Sequence, residues 1–220
     1  MSGTLFIVST PIGNLEDITL RAIRVLKEVT FIASEDTRRT KILLMAHGIN
    51  TRLESFHSYS GGGKQARIIE QLLSGSNVAL VSDSGTPTIS DPGYSLVKEC
   101  IKQKIQVTPI PGASACLAAL VISGKPTDSF IFEGFLSNKD SRRKKEIEKL
   151  LQESRTVIVY ESPYRIEKFL KDFYALAPER EVIIVRELTK KFEEKLRGTA
   201  KNILEHFAQE KPRGEFVVIF

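Results

Sequence analysis

Two short segments of the sequence place carboxylates beside cationic side chains, at the ends of predicted strands. In the first segment, Asp36 precedes Arg38. In the second, Glu187 lies between Arg186 and Lys190. An ionised carboxylate can remove a proton from a hydroxyl group, and a neighbouring cation can hold a phosphate or orient that hydroxyl. The two carboxylates are therefore candidates for a general base, and the three cations are candidates for positioning a substrate. Each of these residues could instead form a structural ion pair.

Glycine, proline and small polar residues are concentrated in three loops, each directly after a predicted strand. The loops cover residues 9–15, 83–93 and 111–115. In open α/β sheets ligands bind beyond the carboxyl ends of the strands, and glycine lets backbone amides come close to a ligand. One such loop would be uninformative, because any turn needs these residue types. Three of them predict a preformed ligand-binding edge.

The sequence lacks the motifs of several common enzyme classes. It contains no P-loop, no H-E-x-x-H and no G-x-S-x-G, and its three histidines are scattered. The two cysteines, Cys100 and Cys116, show neither metal-ligand spacing nor a disulfide framework. We therefore expect no metal, no protease and no esterase. The glycines at residues 61–63 are predicted to form a flexible loop rather than a nucleotide site.

Composition and charge are those of an ordinary folded protein with a basic surplus. The chain has 220 residues, 41% of them hydrophobic, and a net charge of +5. No apolar run is long enough for a membrane span and no signal peptide is visible, so we expect a cytoplasmic protein. Residues 139–149 hold six basic and three acidic side chains. Such a segment could bind a polyanion, but on charge alone a solvated helix face is favoured.

Short apolar runs alternate with amphipathic stretches along the whole chain. Strands are predicted at residues 5–8, 31–33, 53–57, 78–82, 107–110, 130–133, 156–161, 182–187 and 215–220. Helices are predicted at residues 17–28, 39–47, 64–73, 94–102, 114–121, 141–152, 165–174 and 201–208. This alternation predicts an α/β fold with mainly parallel sheets. Prolines and glycines near the midpoint favour two α/β domains, residues 1–112 and 113–220, over one doubly wound sheet.

Six motifs in order carry a resemblance to a known family. They are TPIGNLED at 10–17, EDTR at 35–38, VSDSGTP at 81–87 followed by ISDPG at 89–93, PGASA at 111–115, YESP at 160–163 and RELTK at 186–190. The chain resembles the small-subunit (16S) ribosomal RNA cytidine 2′-O-methyltransferases, a branch of the tetrapyrrole methylase superfamily. Where members of that family often have the motif Pro-His-Arg, this chain has Pro163, Tyr164 and Arg165. Family members also often continue past the final strand.

The resemblance implies two tetrapyrrole methylase-like α/β domains with S-adenosylmethionine in the cleft between them, and a homodimer. It implies methyl transfer to the ribose 2′-hydroxyl of a cytidine in the decoding region, on free RNA or on the assembled small subunit. Together with the position of each residue after a predicted strand, the resemblance also indicates which residues bind the cofactor. They are Pro11, Gly13, Asp83, Ser84, Gly85, Thr86, Pro87, Ser114, Ala115, Glu161 and Gly214. Thr86 stands where the superfamily has an aspartate, so we expect backbone contacts there.

Two other functions are compatible with these residues. The first is methylation of a small tetrapyrrole-like molecule, as in the wider superfamily. The second is a non-catalytic ribosome-assembly factor that keeps a cofactor pocket. The basic segment and the EDTR element favour RNA over a small ring, and the three glycine-rich loops disfavour a role limited to RNA binding.

Overall fold

The structure, a computed structural model, describes residues 2–57 and 62–220. The chain divides into two compact units, Met1–Ser114 and Ala115–Phe220. The sequence-based boundary lies two residues earlier, after Gly112. Of the glycines predicted to form a flexible loop, Gly61 lies outside the described residues. Gly62 and Gly63 begin the helix Gly62–Leu73, so the loop prediction is wrong for these two.

The first unit contains a five-stranded parallel sheet within residues 2–57 and 62–114. Its strands are β1 (Thr4–Val8), β2 (Phe31–Ser34), β3 (Leu53–Ser55), β4 (Val78–Val81) and β5 (Gln106–Ile110), in the order β3-β2-β4-β1-β5. Its helices are α1 (Leu20–Glu28), α2 (Thr37–Ala46), α3 (Gly62–Leu73) and α4 (Tyr94–Lys102). Each of its four pairings is parallel. The carboxyl ends of all five strands therefore meet at one edge.

Alternating side chains of this sheet fill two separate cores. Leu80 packs with Leu72 of α3 and Leu96 of α4. The next residue, Val81, packs on the other side with side chains of α1 and α2, including Leu26. Successive strand residues point to opposite faces, so buried runs cover both sides as expected of a parallel sheet between helices.

Helix α1 begins later than the sequence pattern suggested. The Thr19 side chain accepts a hydrogen bond from the backbone N–H of Ala22 at 3.1 Å and caps the helix before Leu20. Residues Leu15–Asp17 form a separate 3₁₀ turn. A threonine oxygen satisfies an amide that has no partner inside the helix, and this fixes where the helix starts.

The second unit contains a mixed five-stranded sheet within residues 115–220. Its strands are β6 (Phe130–Phe135), β7 (Thr156–Glu161), β8 (Glu181–Arg186), β9 (Glu194–Thr199) and β10 (Phe216–Ile219), in the order β6-β7-β10-β8-β9. Its helices are α5 (Ala115–Ser123), α6 (Asp140–Leu151), α7 (Ile166–Leu176) and α8 (Ala200–Gln209). The last three pack with one face of the sheet around Phe169 and Phe173, and α5 contacts β7 and β10.

The predicted α/β class is confirmed, with five of the eight pairings in the described residues parallel. In the second unit, however, only β6 and β7 pair in parallel. Residues 187–193 are too few for the crossover that parallel neighbours need, so β8 and β9 form an antiparallel hairpin. Strand β9 was not predicted, because it is a polar, partly exposed edge strand without an apolar run.

No helix in the described part of the chain is both long and apolar enough to span a bilayer.

Candidate active site

The three glycine-rich loops of the first unit are joined by hydrogen bonds at the carboxyl edge of its sheet. The backbones of Thr10 and Gly85 exchange two hydrogen bonds, of 2.9 and 3.0 Å. The Ser9 and Thr86 hydroxyl oxygens lie 2.9 Å apart, and Thr86 Oγ1 also donates to the carbonyl of Ala113 at 3.2 Å. One chain of hydroxyl contacts therefore connects the loops after β1, β4 and β5.

Two glycines permit this close contact between loops. Gly85 has φ +77°, a left-handed conformation that side chains disfavour, and it is buried. Gly112 leaves no room for a side chain, because a β-carbon there would lie 2.9 Å from Cβ of Ser9. The glycines are thus required by backbone shape and by close approach.

The long loop after β4 holds strained backbone. Thr88 has φ +75° and Ser90 has φ +61°, although neither is glycine. Such conformations cost about 1–3 kcal/mol each and are found at ligand-binding and active sites. Gly93, at φ +127°, ends the loop where a β-carbon would lie 2.6 Å from Leu80.

Asp83 connects this loop to the segment between β2 and α2. Its Oδ1 accepts the backbone N–H of Asp36 at 2.9 Å, and its Oδ2 lies 3.8 Å from Nη1 of Arg39. Beside it is a pocket lined by Thr10, Pro11, Leu15, Arg39, Thr40, Ile42, Leu43, Ser82 and Asp83. Hydroxyls, a carboxylate and apolar carbon meet there, a donor set that fits a ligand with both polar groups and an apolar part.

Asp36 is tied to the start of α2. Its Oδ1 accepts the backbone N–H of Arg38 at 2.9 Å, and its two carboxylate oxygens accept Nε and Nη2 of the same arginine at 3.0 and 2.7 Å. These hydrogen bonds lower the pKa of Asp36 to about 2. A carboxylate so held is a weak base, and the geometry favours a positioning role for both residues.

Glu35, the neighbouring residue, has the opposite electrostatic environment. Burial and the negative charges of Asp83 and Asp91 raise the pKa of the Glu35 carboxyl group, against the opposing charge of Arg39. A raised carboxyl pKa is typical of groups that exchange protons in catalysis. The sequence contained this residue within the EDTR motif, but the like charges around it come from the loop after β4.

The remaining cofactor candidates of the first unit lie on the same three loops. Pro11 and Pro87 are buried, and Gly13 is exposed. The Ser84 carbonyl accepts the hydroxyl of Ser82 at 3.2 Å. Ser114 is the last residue of this unit, and Ala115 opens α5 in the second.

In the second unit, strand register brings three candidates to one edge of the sheet. Phe216 at the start of β10 pairs with Glu161 at the end of β7 and with Arg186 at the end of β8. Because β10 is antiparallel to both neighbours, its beginning meets their ends. Glu161, Glu187 and Gly214 therefore belong to the same edge.

Glu187 is held by neighbouring donors and by a tight backbone. Its Oε1 accepts Nζ of Lys190 at 2.8 Å and the backbone N–H of Glu215 at 3.1 Å. Burial alone would raise the pKa of Glu187, but these hydrogen bonds outweigh burial and lower it. Its φ is +51°, and a β-carbon on Gly214 would lie 2.4 Å from its side chain.

The cations beside Glu187 are also paired. Lys190 Nζ donates to the carboxylate of Glu215 at 3.0 Å as well. Arg186 is buried between Glu194 and Glu210, with nitrogen–oxygen distances of 2.7 and 2.8 Å. These contacts favour structural roles for Arg186 and Lys190.

Among the described residues, Glu194, His206 and Glu210 place three possible metal-ligand atoms within 4.8 Å of one another. The Arg186 guanidinium already contacts both carboxylates. The arginine supplies the positive charge that these carboxylates need, so the group does not indicate a metal centre.

Glu161 is buried at the end of β7. Its Oε1 accepts the backbone N–H of Ser162 at 2.7 Å and lies 3.3 Å from Nε of Arg165. Burial raises the pKa of Glu161, against the opposing effects of that N–H and of Arg165. Its carboxylate is thus at the same edge as Glu187 but in a less polar setting.

The basic segment at residues 139–149 is divided between the protein interior and the surface. Arg143 is 2% exposed and is ion-paired to Asp172 and Asp140. Lys144 and Lys145 are both exposed, and Nζ of Lys144 lies 3.5 Å from the Asp172 carboxylate. The segment is therefore not a uniform surface patch.

Comparison with known proteins gives one family. The model of the tetrapyrrole (corrin/porphyrin) methylases matches residues 4–204. A protein named ribosomal RNA small subunit methyltransferase I from Halalkalibacterium halodurans is 50% identical over 218 residues, covering 99% of this chain and 75% of the relative. One of the same name from Thermotoga maritima is 45% identical over 217 residues, covering 99% and 97%.

A solved structure has the same fold at low sequence identity. Uroporphyrin-III C-methyltransferase from Thermus thermophilus, in complex with S-adenosylhomocysteine, aligns with a TM-score of 0.68 and 17% identity. The alignment covers 99% of this chain and 97% of the other.

Proposed function

We propose that this chain, which belongs to the tetrapyrrole (corrin/porphyrin) methylase family, is an S-adenosylmethionine-dependent methyltransferase of small-subunit ribosomal RNA. Its target is the ribose 2′-hydroxyl of a cytidine in the decoding region. The observation that carries the proposal is the high identity, over nearly the whole chain, to relatives that are named small-subunit rRNA methyltransferases. The joined loops of the first unit provide a polar, preorganised edge that suits such a cofactor.

S-adenosylmethionine supplies an electrophilic methyl group on a sulfonium, and the protein binds and orients it. In the first unit, the backbone of Gly85 and Thr86 and the side chain of Asp83 would hold it, with Pro11, Gly13, Ser84, Pro87 and Ser114 around them. Ala115, Glu161 and Gly214 are the proposed contacts from the second unit. Methyl transfer from the sulfonium releases a neutral thioether, which is a good leaving group, so the reaction requires no metal.

Alignment and proton removal are the two tasks left to the protein. Orientation of the hydroxyl toward the methyl group can contribute roughly 7–11 kcal/mol, and a positioned base typically adds about 10²–10⁴-fold. We assign proton removal to Glu35, whose pKa is raised by burial and by Asp83 and Asp91. Asp36 with Arg38 positions the start of α2 near the substrate, and Glu187, Arg186 and Lys190 hold the end of β8 in the second unit through their ion pairs.

The proposal includes a homodimer that acts in the cytoplasm. Its substrate is free RNA or the assembled small subunit. The dimer follows from the family resemblance, and the compartment follows from an RNA substrate. Sedimentation velocity of the purified chain tests the dimer, and a single species with the mass of one chain contradicts it.

The function is tested by incubation with methyl-labelled S-adenosylmethionine and small ribosomal subunits from cells that lack this protein. We expect label in one cytidine, recovered as 2′-O-methylcytidine after nuclease digestion. A porphyrinoid and protein-free rRNA are assayed in parallel. Label in the porphyrinoid alone would show a small-molecule methyltransferase, and subunit binding without label would show an assembly factor.

A further inference from the structure

The second unit exposes two aromatic side chains at the carboxyl ends of β6 and β7. Tyr164, in the turn after β7, is 90% exposed, and Phe135, the last residue of β6, is 55% exposed. The Phe135 ring also contacts the Tyr160 ring, with centroids 5.7 Å apart. Because β6 and β7 are parallel, both aromatic side chains belong to the same edge of the sheet.

Arg165 fixes the turn that carries Tyr164 against the loop that follows Phe135. Its Nη2 donates to the carbonyls of Leu136 and Ser137 at 2.7 and 3.3 Å. Its Nη1 donates to the Asn138 side chain. The exposed tyrosine therefore stands on an ordered turn, and its backbone has little freedom to lose when the side chain binds a partner.

The same loop is joined to α6. The backbone N–H of Ser137 donates to Oε2 of Glu146 at 2.8 Å, and Oε1 of that carboxylate accepts Nε of Arg142 at 3.0 Å. Helix α6 therefore begins beside the aromatic side chains and holds a fixed position relative to them.

One face of α6 carries most of its exposed cations. Positions three, four and seven apart share a helix face, which places Arg142, Lys145 and Lys149 together with Glu146. Lys139 precedes them by one turn, and all four cations are exposed. Four positive charges and one negative charge give this face a surplus of three.

We propose that these residues, Phe135, Lys139, Arg142, Lys145, Lys149 and Tyr164, form a surface that binds a single-stranded segment of ribosomal RNA. We call it the aromatic–basic surface. The inference rests on the proposed function and adds the place where the RNA is held. The Tyr164 ring stacks on a base, and the cations of α6 contact the phosphates.

The combination of side chains favours RNA over other occupants. Aromatic rings stack on unpaired bases of any sequence, and cations along a groove follow the backbone phosphates. A second copy of this chain would bring the same positive surplus against the first. Like charges opposed in this way repel, so the surface does not suit self-association.

The test measures affinity by fluorescence anisotropy, with a fluorescein-labelled, mixed-sequence single-stranded oligoribonucleotide as the probe. We expect Tyr164→Ala to weaken binding about tenfold and Tyr164→Phe to keep the original affinity. The control is Tyr94→Ala, which removes a tyrosine that is 70% exposed in the first unit. We expect the control to bind as the unchanged protein does.

The cations are tested by salt dependence. The pair Lys145→Glu and Lys149→Glu is expected to weaken binding and to flatten the plot of log affinity against log salt by about one unit for each lost phosphate contact. The matched control reverses Lys27 and Lys98, exposed lysines of the first unit. Equal losses in the two double variants would show a general charge effect and overturn the proposal.

Two further readouts separate the possible failures. Sedimentation velocity is run on Tyr164→Ala, and a changed oligomeric state with unchanged RNA affinity would assign the surface to a second copy. Methyl transfer by the unchanged protein to small ribosomal subunits is measured in parallel. If transfer is absent while Tyr164→Ala still loses RNA affinity, the proposed function fails and the RNA surface stands.

Discussion

Arg143 and Asp172 form a buried ion pair in the second unit, with Nη2 of the arginine 2.6 Å from Oδ2 of the carboxylate. Nε of the same arginine donates to that oxygen at 2.9 Å. The pair joins α7 to α6, the helix that carries three of the cations of the aromatic–basic surface. It also separates the charges of α6 into those that stabilise the fold and those that remain available to a polyanion.

Replacing Arg143 is therefore expected to reduce stability rather than RNA affinity. Arg143→Ala leaves the Asp172 carboxylate buried without its main partner, a change that typically costs about 3–5 kcal/mol. Arg142→Ala removes an exposed arginine with one surface ion pair and is expected to cost less than about 1 kcal/mol. Urea unfolding measures both. Equal stabilities for the two variants would contradict the buried pair.

The conformation of Gly214 leads to a second prediction. Gly214→Ala puts a β-carbon 2.4 Å from the Glu187 side chain at a backbone φ of +83°. We expect a loss of about 1–3 kcal/mol in the free energy of unfolding. Glu187→Gly removes the clash with the new β-carbon but not the strain of alanine at the φ of +83°. The double variant is therefore expected to lose less than the sum of the single losses. Additive losses would show that the two residues are not in contact.

The Gly85 loop assignment has its own test. Gly85→Val places a branched side chain at φ +77°, where three loops are joined, and is expected to abolish S-adenosylmethionine binding measured by calorimetry. Gly48→Val is the control, because Gly48 has φ +60° but no atoms within 4 Å of its β-carbon position. The control carries the same kind of backbone strain away from the loops. Unchanged cofactor affinity in Gly85→Val would remove this loop from the site.

Most elements of the first unit could be predicted because they have strong signals of their own; β3, with the sequence Leu-Glu-Ser, is the weak one. Strand β4 is a continuous apolar run, and α4 alternates buried Leu96 and Cys100 with polar residues. Strand β9 has no such signal, since it lies at the edge of the sheet and three of its six residues, Glu194, Lys195 and Arg197, are charged. The short loop after β8 brings β9 beside β8, and this pairing cannot be predicted from the residues of β9 alone.

Candidate groups could be identified from the sequence, but their partners could not. The loops after β1, β4 and β5 could be expected at one edge, because parallel strands place their carboxyl ends together. The hydrogen bond from the Asp36 backbone to Asp83, 47 residues away, depends on strand order. Likewise, nothing in the charge run at 139–149 indicates that Arg143 points inward, because its partner Asp172 lies on another helix. The catalytic and cofactor roles of the sequence-derived residues stay predictions.

The last prediction concerns the residue that removes the proton. If Glu35 is the general base, only its ionised form is active, and its pKa is raised. The single-turnover rate is then expected to rise with pH through that raised pKa and to level off above it. Glu35→Gln is expected to lower the plateau by about 10²–10⁴-fold and to remove this rise, while S-adenosylmethionine affinity stays unchanged.

Asp36→Asn and Glu187→Gln are the matched variants, because both carboxylates have lowered pKa values and are already ionised at neutral pH. Their replacement removes the partners of Arg38 and Lys190, so we expect reduced thermal stability with most of the single-turnover rate retained. The pH dependence of the rate should also persist in both, since the group that produces it is still present. If either variant loses the rate while Glu35→Gln keeps it, proton removal belongs to that carboxylate, and the raised pKa of Glu35 reflects only its burial among like charges.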